Sequence, residues 1–294
     1  MPVAVPSARS PVPLGAQSGR FGTVLFRPGT LFPLKVRRHP GFLFCAALLS
    51  AAICVWAGNL FFPASGGLVA VFLIVLSLEA EMVAVLEENR DAIWTYRENP
   101  HRANVRLAGK MVCLFLGMTL GFGIMTFALE GVTKGLGPQL DRFSQEYLRI
   151  QGVDFGTAGA NLRHNGIVLV GCFLCAVLFR AGGALLVLGW NASVWGAVYG
   201  FMVRTQPSGK LLYGAKVVAT TLPHVALEAT GYVLAGLAGI FLSKAMAKYR
   251  WDSSPFRHVA LASAQLLVIG LGLVAAGANV EAWVTPRIAN ALFH

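Results

Sequence analysis

One short stretch of the sequence places residues that can do chemistry inside a long apolar run. Between Thr221 and Gly239 it carries Pro223, His224 and Glu228 among aliphatic and small side chains. His224 and Glu228 are four residues apart, so on a helix they lie on the same face. Pro223 has no backbone N–H and frees a carbonyl about one turn earlier. The stretch therefore predicts a kinked helix that holds an imidazole, a carboxyl group and an unpaired carbonyl close together.

The surroundings of this pair decide its role, because an ionisable side chain inside a bilayer costs about 2.5–3.5 kcal/mol on insertion scales. In one interpretation, His224 and Glu228 form a site for a proton, a ligand or an ion. In the other, they hydrogen-bond to each other and to neighbouring helices, and so fix the geometry of a bundle. We predict an intramembrane polar core of Asn165, Asn191, Pro223, His224, Glu228 and Glu281. Further candidate partners are Glu79, Arg180 and Asn161.

Known catalytic and metal-binding patterns do not occur in the sequence. It has no His-Glu-x-x-His pair for zinc, no Gly-x-Ser-x-Gly elbow and no Walker loop. Cys172 and Cys175 have CxxC spacing, but no second pair of Cys or His lies near them in the sequence. We interpret both as small packing residues. We therefore expect no enzyme activity, no bound metal and no cofactor.

The composition indicates which elements position these residues. Apolar types make up 56% of the 294 residues and charged types only 13%, about half the charged share of a soluble domain. Apolar runs of about 20 residues recur and are continuous rather than alternating, which is typical of an all-α, polytopic transmembrane bundle. The net charge of +11 is assigned to Lys and Arg that face anionic lipid at the cytoplasmic surface, and not to nucleic-acid binding.

We predict about seven membrane spans, with the N-terminus in the cytoplasm and the C-terminus outside. Residues 1–41 are basic and are expected to form a disordered cytoplasmic tail. Residues 42–104 are expected to form a transmembrane hairpin and a cytoplasmic helix, and residues 105–294 a five-span core with an outer loop at 130–163. The apolar run 166–203 is about twice the length that crosses hydrocarbon, so we divide it at its Arg-Ala-Gly-Gly turn. The predicted spans are 42–62, 68–86, 111–129, 166–179, 183–203, 211–245 and 259–284.

Several motifs follow one another in the second half of the chain. They are Asn161-Leu-Arg-His-Asn165, Leu222-Pro-His-Val-Ala-Leu-Glu228 and Glu281-Ala-Trp-Val-Thr-Pro286. In order and spacing they resemble the stage II sporulation protein M family of prokaryotic membrane proteins, over about residues 105–290. The resemblance implies a five-span core with its N-terminus inside and its C-terminus outside. The tail and the first two spans depart from the short family pattern as an added N-terminal module.

The resemblance also implies a function. In endospore formers, members of this family resemble a scaffold that recruits peptidoglycan hydrolases. The resemblance therefore implies an inner-membrane scaffold that organises envelope partners through loop 130–163. The alternative is a proton-coupled transporter or lipid-handling protein that uses the His224 and Glu228 site. Membrane lipid is an expected partner in both cases. Small residues four apart, such as Gly196 and Gly200, permit close helix approach, and we interpret them as packing within the chain. A homo-oligomer is left open as a separate alternative.

Overall fold

The computed structural model describes residues 39–129 and 157–293, and every regular element in these two ranges is helical. The elements are α1 (Pro40–Phe61), α2 (Gly66–Trp94), α3 (Pro100–Ala128), α4 (Ala158–Thr205), α5 (Lys210–Lys248), α6 (Ser254–Asn279), a π-helical turn (Val280–Val284) and α7 (Thr285–Phe293). Six helices are long and apolar enough to cross a membrane, with α6, the π-helical turn and α7 counted as one. The expected all-α, multi-pass membrane bundle is thus confirmed. The predictions for the tail, apart from its last three residues, and for residues 130–156 of the outer loop lie outside the described residues.

Several helices begin where the sequence supplies both a cap and a proline. The His39 side chain caps α1, Asn99 caps α3, and Ser253 caps α6, each by accepting a hydrogen bond from a backbone N–H of the first turn. A proline follows within two residues of each cap, where its fixed φ suits the start of a helix. Local sequence therefore sets these starting points, and the apolar runs behind them form the spans.

The longest helix, α4, reverses its direction at Arg180. The backbone of Arg180 is not helical, with φ 53° and ψ −126°. Gly183 packs against the backbone carbonyl of Cys175, although the two residues would stand about 12 Å apart on a continuous helix. The element is therefore a hairpin with a first arm (158–179) and a second arm (181–205), each long enough to cross about 30 Å of hydrocarbon. The long apolar run is thus divided where the sequence predicts. The number of membrane spans is six if the hairpin counts once and seven if its two arms are counted separately.

Small residues at the crossing points let the helices pack closely. Gly117 and Gly121 of α3 face α1, Gly196 and Gly200 of the second arm of α4 face α3, and Gly239 of α5 faces the first arm of α4. A Cβ atom at each of these positions would come within 3.0 Å of a backbone carbonyl oxygen of the facing helix. The small residues spaced four apart in the sequence therefore serve close packing within the bundle.

One ion pair joins α3 to α2, and a second joins α3 to the short connection between the two helices. Lys110 Nζ donates to both carboxylate oxygens of Glu88 at 2.8 and 2.9 Å, and Arg106 makes a two-pronged pair with Glu98 at 2.7 and 2.8 Å. The bonds from Arg106 lower the pKa of the Glu98 carboxyl group. Only 7% of the Lys110 side chain is exposed, so this ammonium group depends on Glu88 for its charge partner. The more exposed Glu98 pair contributes little to stability.

The close crossing of α3 and the second arm of α4 yields a testable prediction. We expect Gly196→Val to lower the free energy of unfolding by about 1–3 kcal/mol, because the new side chain meets the carbonyl of Thr119 and forces the helices apart. Gly171→Val is the matched control, since a Cβ at Gly171 meets no described atom within 4 Å. Chemical unfolding in detergent–lipid micelles measures both. Equal losses in the two variants would contradict the crossing.

Candidate functional site

His224 and Glu228 lie inside the bundle, on a helix that continues through Pro223. His224 stands about 21 Å along α5 from its start at Lys210, and Glu228 about 6 Å further. The exposed fractions are 0% for His224 and 3% for Glu228. Pro223 is exposed and therefore lies on the opposite side of α5. The predicted shared face of the imidazole and the carboxyl group is found, and the proline ring lies outside it.

The Glu228 carboxyl group is held between two neighbouring helices. Asn165, in the first arm of α4, donates from Nδ2 to Glu228 Oε1 over 2.7 Å. On the α6 side, a Cβ atom on Gly277 would come within 2.8 Å of Glu228 Cγ and 3.3 Å of the His224 carbonyl oxygen. Glycine is therefore required for α6 to approach at this height. A buried carboxyl group needs a hydrogen-bond partner, and Asn165 supplies it.

The imidazole of His224 bonds to a residue that follows α6. His224 Nδ1 lies 3.0 Å from Thr285 Oγ1, and Thr285 Oγ1 lies 3.2 Å from the carbonyl oxygen of Val280. A threonine hydroxyl has a single proton. When Thr285 donates that proton to Val280, Nδ1 must carry the proton of the imidazole and donate to Thr285. Nε2 is then an acceptor, and among the described residues this buried atom has no hydrogen-bond partner.

The π-helical turn brings Thr285 into this position. Its backbone N–H bonds to the carbonyl of Val280, so the turn holds one residue more than an α-helical turn and shifts the side chains that follow. Thr285 is 0% exposed. Glu281 belongs to the same turn, is partly buried, and lies close enough to Glu228 for their charges to interact. The turn therefore adds a hydroxyl group and a second carboxyl group to the cluster.

Aromatic residues of the second arm of α4 cover another side of the imidazole. The Trp195 ring lies 5.8 Å from the His224 ring, edge-on at 61°. One turn further on, Tyr199 Oη lies 2.8 Å from Thr221 Oγ1 of α5. Thr285, Trp195 and Tyr199 were not among the predicted site residues. The spacing of Trp195 and Tyr199 on one face of an apolar run was an available signal, whereas nothing local in the sequence announces the π-helical turn.

The other predicted residues lie elsewhere. Asn191 donates from Nδ2 to Val187 in its own helix at 2.8 Å. Arg180 is exposed at the turn of the α4 hairpin, and Glu79 is exposed beside Gly182 of that turn. Asn161 is partly buried, one turn before Asn165. The structure therefore brings together Asn165, His224, Glu228 and Glu281, and it leaves these others outside that cluster.

The second interpretation combined a hydrogen bond between His224 and Glu228 with bonds to neighbouring helices, and the structure shows only the latter for these two described side chains. Each side chain instead bonds to a different neighbouring element, Glu228 to the first arm of α4 and His224 to the segment after α6. Residues four apart on a helix share a face, yet two polar tips on that face can extend to opposite sides. The pair therefore connects three elements.

Metal-ligating side chains do not gather in the part of the chain that the structure describes. There, no group of three or more His, Cys, Asp or Glu is placed to hold a metal ion.

Cys172 is buried and donates from Sγ to the carbonyl of Tyr232 at 3.3 Å, which connects the first arm of α4 to α5. The cluster can hold helices together through hydrogen bonds, and within it His224 Nε2 is a buried acceptor without a partner among the described residues.

Comparison with known proteins identifies the family of the chain. The family model described as stage II sporulation protein M matches residues 41–286, most of the chain. The matched range begins at the start of α1 and ends at Pro286, the last residue of the last motif. It therefore includes α1 and α2, which the motifs alone had left outside the resemblance. No curated protein and no solved structure matches the chain.

The bond between Asn165 and Glu228 is tested with a matched pair of asparagines. We expect Asn165→Leu to lower the free energy of unfolding by about 1–3 kcal/mol, because the buried carboxyl group loses its donor. Asn191→Leu makes the same chemical change in the same hairpin, where the side chain bonds only to its own helix. It should cost no more than about 0.5 kcal/mol. Reversible unfolding in detergent–lipid micelles gives both values, and a larger loss in Asn191→Leu would overturn the assignment.

Proposed function

The chain belongs to the stage II sporulation protein M family, and we propose that it works as a scaffold in the inner membrane of a prokaryote. In this proposal it is not an enzyme. It organises envelope partners, such as peptidoglycan-remodelling hydrolases, and membrane lipid surrounds its bundle. Family membership supports a multi-pass membrane protein of this kind, and the arrangement of the polar cluster favours the scaffold role.

The main support for the proposal is that the polar cluster connects different helices. Glu228 is bonded to Asn165 of α4, and His224 is bonded to Thr285 beyond α6. Both bonds cross between elements that lie far apart in the sequence. Because lipid offers no competing donors or acceptors, such bonds hold one arrangement of the bundle. A fixed arrangement is what a protein needs in order to present a constant surface to partners.

The charges at one end of the bundle support a cytoplasmic orientation for that end. Lys244, near the end of α5, lies close enough to Arg90 of α2 and to Arg180 at the α4 turn for their charges to interact. These elements therefore place their basic residues at the same end. Positive residues favour the cytoplasmic side. In that orientation the C-terminus and the segment that joins α3 to α4 lie on the outer side.

The proposed contact region is the segment 130–163 between α3 and the first arm of α4. In the proposed orientation it is the largest outer segment of the chain, and therefore the part available to peptidoglycan-remodelling partners. Residues 130–156 of this segment lie outside the polar cluster, whose first residue in α4 is Asn165. Changes in the segment and changes in the cluster can therefore test partner binding and bundle stability separately.

Co-purification from native membranes after mild crosslinking tests the scaffold. The variants are the full chain, a chain with residues 130–156 replaced by a Gly/Ser linker of equal length, and Glu228→Gln. Glutamine keeps an acceptor for Asn165 but removes the ionisable group. We expect envelope partners with the full chain and with Glu228→Gln, and their loss with the linker variant. Partners that persist without the segment, or no partners from a well-folded full chain, would contradict the proposal.

A transporter remains the second candidate, and one observation favours it. His224 Nε2 is a buried acceptor without a partner in the described ranges, and one turn further along α5 Glu228 lies close enough to Glu281 for their charges to interact. Such a group in a membrane can take a proton or a solute that donates a hydrogen bond. Solute-dependent flux in proteoliposomes that disappears in Glu228→Gln would support transport. The same variant therefore separates the two candidates, since the scaffold retains its function in it.

A further inference from the structure

Helix α6 contacts the rest of the bundle on one side only. Within its most apolar stretch 17% of the residues are buried, compared with 67% for α5. Its buried residues include Ser263, Gly270 and Gly277, and Gly270 crosses α5 at Gly231. The remaining faces of α6 are exposed from end to end. In a membrane these faces meet lipid or another protein.

The outermost row of α6 has an unusual composition for a surface that meets lipid. It consists of residues seven apart, which form a nearly straight line along a helix. The row comprises His258, Gln265, Gly272 and Asn279, and all of them are exposed. Leu261 and Val268 form a second exposed row beside it. Polar and small residues at one position of a seven-residue repeat, with larger apolar residues at another, are typical of a helix–helix seam.

Two members of this row have no explanation within the described residues. The Gln265 amide lies inside the apolar part of α6 and makes no hydrogen bond with any other described residue. Hydrocarbon offers an amide no partner. Gly272 occupies the most outward position, and a Cβ atom there would meet no described atom within 4 Å. Close packing among the described residues therefore does not require this glycine.

We propose that this face of α6 pairs with the same face of a second copy of the chain. Two copies in one membrane have the same orientation, so a two-fold axis along the membrane normal makes the paired helices parallel and sets each residue opposite itself. A primary amide is both donor and acceptor, so Gln265 can bond to Gln265 of the second copy. Asn279 uses one amide proton on the carbonyl of Ala275 at 2.8 Å, and it keeps another proton for its counterpart.

The geometry of the row favours a second copy over an unrelated protein. The pattern is self-complementary, since amide meets amide and glycine meets glycine about a parallel two-fold axis. Gly272 lies between the two amides and lets the backbones approach. A seven-residue repeat sustains a left-handed crossing of about 20°. The seam ends at Asn279, because the π-helical turn that follows shifts the register of later side chains.

Energy transfer between donor- and acceptor-labelled full-length chains in lipid vesicles tests the pairing across a range of protein-to-lipid ratios. We expect the wild-type chain to associate above the level of random encounters. Gln265→Leu should weaken the association about 3- to 20-fold, which is the range for an interhelical hydrogen bond in a membrane. Gly272→Leu should weaken it at least about 10-fold, because the new side chain separates the two backbones.

The control for bulk is Gly171→Leu in the first arm of α4. A Cβ atom at Gly171 also meets no described atom within 4 Å, so the same change adds the same lipid-facing side chain on another helix. It should leave association unchanged. In detergent micelles dilute enough to keep the chains monomeric, all three variants should unfold at the wild-type temperature, since Gly272 and Gly171 have free space and Gln265 is exposed.

Three results would overturn the proposal. The first is a wild-type chain that stays monomeric at every protein density. The second is an equal loss of association in Gly272→Leu and Gly171→Leu. The third comes from a photo-crosslinking residue at position 272 in native membranes, if it captures residues 130–156 of the same chain or a different protein. The proposal requires a crosslinked product of two chains.

Discussion

A lipid interior offers no hydrogen-bond partners, so each polar atom placed there must find its partner within protein, and this constraint organises the bundle. Glu228 is bonded to Asn165 of α4, and His224 to Thr285 beyond α6. Each bond fixes the height and rotation of a neighbouring element relative to α5. Glycines at the crossing points allow this arrangement. Gly277 lets α6 approach α5 at the height of Glu228, and Gly239 lets the first arm of α4 approach α5. Apolar packing alone would leave such helices freer to rotate and slide.

The same constraint links stability to function. A cluster whose bonds run between elements far apart in sequence works as an internal brace, which suits a protein that presents an outer segment to envelope partners. A brace does not need the Nε2 atom of His224, which has no hydrogen-bond partner among the described residues. This atom gives the transport alternative its physical basis. On the outer face of α6 the same constraint favours a partner outside the chain. The Gln265 amide has no partner among the described residues, and a second copy would supply one.

Much of the fold could be predicted from the sequence, because span length and charge follow directly from the bilayer. The run through 166–203 was too long for one crossing, and the reversal occurs at Arg180. The buried face shared by His224 and Glu228 followed from their spacing. Their partners did not, because spacing on one helix does not say which neighbour each tip reaches. The position of the Thr285 side chain depends on a π-helical turn, and the sequence gives no local signal for that turn. The Asn191 side chain bonds to the backbone of its own helix, an option that spacing alone does not exclude.

The His224–Thr285 hydrogen bond is the most direct test of the brace, and solid-state NMR of ¹⁵N-histidine-labelled protein in lipid bilayers can observe it. His224→Gln assigns the signal by its disappearance. We expect a neutral ring whose proton is on Nδ1 and is donated to Thr285, with no proton on Nε2. Thr285→Val should shift the Nδ1 resonance and leave the other histidines unchanged. A proton on Nε2 with a bare Nδ1, or an Nδ1 resonance that ignores Thr285→Val, would contradict this expectation.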